Sequence, residues 1–168
     1  MKVGLQALRV LIVDDNEGAR TLLSGMLQGI GINQIRDAPN GSEAFQLLRH
    51  WTPDLAFVDL NMEPVDGIEF TRLVRTAPEC PEPYLPIILV TGAAQVTRVK
   101  EARDAGVDQV LAKPVSPQLV VERLKAVIEA KRRFVRARDY VGPDRRRRPT
   151  PDYGGPLRRE ADRGEPRS

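Results

Sequence analysis

Five side chains with chemical potential stand where apolar runs end. Asp14 and Asp15 follow Leu8-Arg9-Val10-Leu11-Ile12-Val13, Asp59 closes Leu55-Ala56-Phe57-Val58, Thr91 follows Pro86-Ile87-Ile88-Leu89-Val90, and Lys113 follows Val107 to Ala112. Three carboxylates gathered in one place repel one another, so a hard divalent cation is their natural partner, and Mg²⁺ takes oxygen ligands while retaining water. A metal polarises phosphoryl oxygens, a lysine adds a mobile positive charge, and a threonine hydroxyl donates a hydrogen bond. Together they describe a pocket for a phosphoryl group on Asp59, with Asp59 as the nucleophile. Taken singly, each has a plainer use: an acid after a strand caps a helix, Thr91 is a turn residue, and Lys113 is a solvated lysine. Five suitable side chains at the ends of four strands are hard to ascribe to turn chemistry.

The elements that must position them are legible as alternating patterns. The run ending in Val13 is rich in β-branched residues and reads as a first strand. Asn16 or Asp15 then caps a helix from about Glu17, in which Leu22, Leu23, Met26, Leu27 and Ile30 recur at helical spacing until Gly29 and Gly31 stop it. Ile32 to Ala38 is a weaker second strand, and Pro39-Asn40-Gly41 turns into a helix from Ser42 to about His50, with Ala44, Leu47 and Leu48 inward. The third strand ends in Asp59. Pro64 and Gly67 turn the chain into a helix over 67–75, where Ile68, Phe70, Leu73 and Val74 are apolar. A proline-rich loop leads to the fourth strand, 95–105 is a polar helix closed by Gly106, and 107–112 is the fifth strand. A last helix starts at Ser116 or Pro117, lines one face with Leu119, Val120, Leu124, Val127 and Ile128, and has the composition to run on to Arg138. Such alternation calls for a parallel α/β sheet covered on both faces through right-handed crossovers. In that architecture the carboxyl ends of the strands converge on one crevice.

Charge divides the chain. Residues 1–130 hold 13 Lys/Arg against 17 Asp/Glu, whereas residues 131–168 hold 13 against 6, so a balance of −4 is followed by one of +7. A compact acidic domain with a basic, interacting tail is the reading. The apolar runs are too short to cross a bilayer and the amino terminus has no signal-peptide pattern. The single cysteine, Cys80, rules out an internal disulfide and suits a reducing cytoplasm. It stands among Pro78, Pro81, Pro83 and Pro86 and reads as a loop residue.

Asp-Asp after the first strand, Asp after the third, Thr after the fourth and Lys-Pro after the fifth resemble the receiver domain of two-component response regulators, over about residues 6–130. The resemblance implies a flavodoxin-like (CheY-like) five-stranded sheet in the order 2-1-3-4-5. It implies Mg²⁺ held by Asp14, Asp15, Asp59 and the backbone carbonyl of Asn61. It also implies that Asp59 takes phosphate from a histidine kinase or phosphotransfer protein, that Thr91 and Lys113 bind the phosphoryl oxygens, and that Lys113–Pro114 is cis. One departure stands out: Val110 occupies the place, three residues before the lysine, where such domains carry an aromatic switch residue. Either the switch is muted, or signalling through the face formed by the fourth helix, fifth strand and fifth helix relies on something else. The rival enzyme class, an aspartate-nucleophile hydrolase, needs a second acid at position 61, which is Asn.

The tail contains a repeat. Asp139-Tyr140-Val141-Gly142-Pro143-Asp144-Arg145-Arg146 returns as Asp152-Tyr153-Gly154-Gly155-Pro156-Leu157-Arg158-Arg159, thirteen residues on, with six of eight positions identical; Arg147 and Arg148 extend the first copy. Apolar content is too low for a second core, which predicts a tail without fixed structure when free. Arginine bonds guanine O6 and N7 in a bidentate fork and stacks on bases, as Tyr140 and Tyr153 do. Asp144 or Asp152 can accept from the guanine N1–H and N2–H edge. Two similar arms suggest a ligand of two equivalent halves, and the combination points to cyclic di-GMP. This segment, about 132–160, resembles that of the CheY-like c-di-GMP effectors (Cle proteins) of alphaproteobacteria.

The expectation is therefore a receiver over 1–130 and a c-di-GMP-binding tail over 131–168, in a cytoplasmic signalling protein rather than an enzyme. By the same resemblance its target is the flagellar motor switch, controlling motility or surface attachment. The alternative is a phosphorelay shuttle or sink whose basic tail binds nucleic acid or an acidic partner.

Overall fold

The computed structural model describes residues 4–92, 97–130, 134–137 and 140–143, with side chains over 4–92 and 97–129. After a single 3₁₀ turn at Leu5–Ala7, the chain runs β1 (Arg9–Val13), α1 (Glu17–Gly29), β2 (Gln34–Ala38), α2 (Gly41–Leu48), β3 (Leu55–Asp59), α3 (Gly67–Thr76), β4 (Ile87–Thr91), α4 (Val99–Ala105), β5 (Gln109–Ala112) and α5 (Pro117–Ala130). A short hairpin, β6 (Phe134–Ala137) and β7 (Tyr140–Pro143), follows. The first five strands form one sheet in the order β2-β1-β3-β4-β5, with every pairing parallel. This is the flavodoxin-like, CheY-like arrangement.

Strands buried on both faces explain the unbroken apolar runs. Alternate residues of β1 and β3 face opposite ways: Val10, Ile12, Leu55 and Phe57 pack with Leu23, Leu27, Val120 and Leu124 of α1 and α5. Leu11, Val13, Ala56 and Val58 pack instead with Ala44, Ile68, Phe70 and Ala102 of α2, α3 and α4. Burying one side chain the size of Phe57 stabilises the fold by about 1.5–3 kcal/mol. Helices α1, α2 and α3 start on side-chain caps: Asn16 accepts from the Ala19 amide at 2.8 Å, Asn40 from Glu43 at 2.9 Å and Asp66 from Glu69 at 2.9 Å. Gly106, at φ 107°, ends α4 in the left-handed conformation that glycine adopts without cost.

At the amino ends of β4 and β5 a buried ion pair fastens the sheet to α3. Arg75, 3% exposed, donates from Nε and one terminal nitrogen to the Gly106 carbonyl at 3.2 and 2.8 Å, and to the Pro83 carbonyl at 2.9 Å. It also meets Asp108 at 3.2 Å, and the same Asp108 oxygen accepts from the Ile87 amide at 2.8 Å.

Several expectations are corrected. The last helix is described to Ala130 and does not run on to Arg138, because Phe134–Ala137 is a strand, as its aromatic and β-branched residues favour. The tail's first segment accordingly has structure of its own: β6 and β7 pair antiparallel from Phe134↔Pro143 to Ala137↔Tyr140, and β7 runs beside α3 and α4. Leu22 is 61% exposed, because it lies one helical step away from the buried Leu23–Leu27 stripe, and Leu73 is exposed as well. The described helix α4 begins at Val99, later than expected. Cys80, although in a loop, is buried within the α2–α4 core cluster. Among the described residues no helix is long and apolar enough to cross a membrane.

Candidate functional site

The register of the sheet brings the strand ends together. Val13 pairs with Val58, so Asp14 emerges beside Asp59. Asp59 pairs with Val90, and Thr91 pairs with Ala112, which places Thr91 and Lys113 on the other side of Asp59. The Lys113 amide donates to the Thr91 carbonyl at 2.8 Å, continuing the ladder past the last paired residue. Lys113–Pro114 is cis, as expected, and so is Glu63–Pro64.

One carboxylate oxygen from each of Asp14, Asp15 and Asp59 lies within 4.8 Å of the others. Asp14 and Asp59 are buried, and Asp15 is exposed. The two oxygens of Asp59 have different partners. Lys113 Nζ stands 3.0 Å from Oδ1, while Oδ2 accepts from the Asn61 amide at 3.1 Å. Asp14 Oδ1 accepts from the Asn16 amide at 2.9 Å. Thr91 is buried at the end of β4. Four of the five residues picked from strand ends, Asp14, Asp15, Asp59 and Lys113, therefore converge, with the Asn61 amide on Asp59 and Thr91 one residue beyond the strand partner of Asp59.

Electrostatics reports the crowding. Burial pushes the Asp59 carboxyl above the ordinary carboxylate range, against the pull of Lys113 and the Asn61 amide. Burial likewise raises Asp14, opposed by the Asn16 amide and reinforced by the charge of Asp59. For Lys113, burial works against the ammonium, yet the hydrogen bond and charge of Asp59, with Asp14 and Asp15, outweigh it and hold the proton more firmly than usual. A carboxylate cluster that one lysine only partly neutralises is a donor set suited to a hard divalent cation.

Sequence reasoning missed two supports. Arg20 donates to the Asp14 carbonyl at 2.7 Å and to Asp37 at 2.7 Å, fixing the turn after β1 against β2. Gly67 was read only as a turn; its amide donates to the Leu60 carbonyl at 2.9 Å, and a Cβ there would stand 2.5 Å from the Asp59 carbonyl oxygen. The absence of a side chain at 67 is what lets α3 start against the backbone of Asp59. An arginine on a helix carries no local mark of its distant partner; Gly67 at the start of an amphipathic helix did. At Val110, the departure from the usual aromatic, the side chain is partly buried and the carbonyl accepts from Arg123 Nε of α5 at 2.7 Å.

Comparison with known proteins accords with this geometry. Residues 10–125 match the response regulator receiver domain family, and the chain belongs to it. It is 35% identical over 125 residues to a probable chemotaxis protein CheY of Rhizobium etli, covering 74% of this chain and 92% of that protein. It is also 31% identical over 119 residues to the polar-differentiation response regulator DivK of Brucella anthropi, covering 71% and 94%. Among solved structures, a response regulator from Chloroflexus aurantiacus superposes with a TM-score of 0.66 at 31% identity, covering 73% of this chain and 98% of that one. The receiver domain of the Pseudomonas aeruginosa sensor histidine kinase PA1611, solved with a magnesium ion coordinated in its active-site cleft, superposes at 0.64 with 26% identity, covering 73% and 98%.

Of the residues named for c-di-GMP, Tyr140 falls in β7. Asp144, Arg145, Arg146, Arg147, Arg148, Asp152, Tyr153, Arg158 and Arg159 lie outside the described residues.

Proposed function

We propose that the chain is a phosphoacceptor response regulator in which residues 1–130 receive a phosphoryl group on Asp59 and residues 131–168 form a c-di-GMP-binding tail. The observation that carries the first half is the two-sided setting of Asp59, with Lys113 at 3.0 Å on one oxygen and the Asp14–Asp15 pair within 4.8 Å. Asp14, Asp15, Asp59 and the backbone carbonyl of Asn61 would hold Mg²⁺, whose contribution when bound is to neutralise charge on the phosphoryl oxygens. An Asp59 oxygen attacks the phosphorus of a phosphohistidine on a histidine kinase or phosphotransfer protein. The P–N bond breaks, the imidazole leaves with the electron pair, and an acyl phosphate forms on Asp59. Lys113 and the Thr91 hydroxyl then bind the transferred oxygens, and loss of the group to water resets the protein. Incubation with phosphoramidate and Mg²⁺ should add one phosphoryl mass to the intact chain, and neither Asp59→Asn nor chelated protein should gain it. An unmodified wild-type chain would overturn the reading.

The tail reading is supported by the repeated Asp-Tyr-x-Gly-Pro-x-Arg-Arg octapeptide. Calorimetry should show binding of c-di-GMP in preference to its adenine analogue, lost in the double variant Arg145→Ala/Arg146→Ala. Absence of heat at moderate salt would sink it. The chemotaxis names of relatives such as that of Rhizobium etli support a role in motility; in this reading the target is a flagellar motor switch protein. Val110 instead favours a phosphorelay shuttle, since a shuttle needs no aromatic switch. Deleting residues 131–168 separates the two, because a shuttle keeps its function without them.

A further inference from the structure

One arginine joins the start of α3, which follows the Asp59 strand, to the start of α4. Asp66 caps α3 with Oδ1, which accepts from the Glu69 amide at 2.9 Å, and turns Oδ2 to Arg98 at 3.2 Å. Arg98, the residue before α4, grips Glu101 with two nitrogens, at 2.9 and 3.1 Å. Glu101 in turn meets Arg72 of α3 at 3.5 Å. The α3 end of this network is anchored to the pocket, because the Gly67 amide bonds the Leu60 carbonyl and the bare Cα of Gly67 abuts the Asp59 backbone. The β4 end is anchored at Thr91 by the ladder to β5. The start of α4 has no side-chain cap of its own, and these ion pairs join it to α3, while Ala102 and Ala105 further along pack into the core.

We propose that Arg98 is a positioning residue for the phosphoryl pocket: by bridging Asp66 and Glu101 it ties the start of α4 to the α3 end that rests on Asp59, so that a change at Asp59 reaches α4. The inference rests on the reading of Asp59 as phosphoacceptor. It supplies a route to α4 in a chain whose position 110 is valine. An ordinary exposed ion pair stabilises little and links nothing; here a planar fork, which lysine does not have, serves two carboxylates on separate elements.

The test uses the full chain with Mg²⁺ and beryllium fluoride, a phosphoryl mimic, read by amide chemical shifts and hydrogen exchange. Three variants are compared: Arg98→Gln, Arg98→Lys, and Asp66→Asn, which keeps the capping oxygen while removing the charge. In the unsubstituted chain, addition should shift Asn61 and residues 99–105 together. Arg98→Gln and Asp66→Asn should keep the Asn61 shift, lose most of the α4 shift, and exchange amides of 99–105 roughly threefold to fivefold faster. Combining Asp66→Asn with Arg98→Gln should give no more than either single change, and Arg98→Lys should restore only part of the response. An α4 response unchanged in Arg98→Gln overturns the proposal. No shift at Asn61 in the unsubstituted chain overturns the phosphoacceptor reading, and this inference with it.

Discussion

Asp14 shows how a side chain can be costly in one state of a protein and useful in another. It is buried, its charge is opposed by Asp59, and its one backbone donor does not compensate for the burial. Replacing it by Asn, whose side-chain oxygen can still accept from the Asn16 amide, should therefore raise the thermal midpoint of metal-free protein. It should also abolish the further rise that millimolar Mg²⁺ gives the wild type, because a ligand stabilises only the state that binds it. A differential scan with and without the ion checks both halves. Cys80 makes a separate point. Burial raises its thiol above the ordinary range, so the folded protein holds that proton more tightly than the unfolded chain does. The stability this confers is complete below the ordinary thiol pKa and is lost as pH climbs through the folded value. Urea midpoints of the wild type should consequently fall more steeply in the alkaline range than those of Cys80→Ala.

At the level of elements, α3 depends on its first residue. Gly67→Ala would place a Cβ 2.5 Å from the Asp59 carbonyl oxygen, 2.7 Å from Leu89 and 3.0 Å from Leu60 Cα. Two of these neighbours are backbone and cannot swing aside. The variant should lose about 1–3 kcal/mol in denaturant unfolding through overpacking, and should bind beryllium fluoride poorly because β3 must shift. Strands β1, β3 and β4 were readable because burial on both faces leaves continuous apolar runs, and each run leads into a residue able to do chemistry. Edge position explains why β2 was the weakest signal: only Ala38 of its five residues is buried. What escaped notice depends on distant partners. Arg20, Arg75 and Arg98 look alike in sequence, as basic residues on helical stretches, yet one braces a turn, one is buried against carbonyls and one joins two helix starts. The hairpin at 134–143 was overlooked because helical composition continues from α5 into it, and apolar content alone did not reveal a two-stranded ribbon.

Across the whole molecule, the two rims of the sheet are built differently. The carboxyl rim gathers like charges, whereas at the amino rim Arg75 and Asp108 satisfy one another and the surrounding backbone. Arg75→Ala would take the cationic partner from Asp108, leaving it the Ile87 amide, and a donor from the Gly106 and Pro83 carbonyls, at a cost of about 3–5 kcal/mol. Arg75→Met, which keeps volume, should still lose most of that, because the acid remains. Equilibrium unfolding of the two variants checks the expectation. At the far end of the chain, β7 takes in Tyr140–Pro143 of the first octapeptide and draws its pairing from Phe134-Val135-Arg136-Ala137. The same offset before the second octapeptide finds Arg147-Arg148-Pro149-Thr150, which lacks the aromatic and the valine that favour a ribbon. The two motifs are twins in spelling and strangers in their surroundings. A ligand with twofold symmetry would thus meet two arms whose flanking sequences differ.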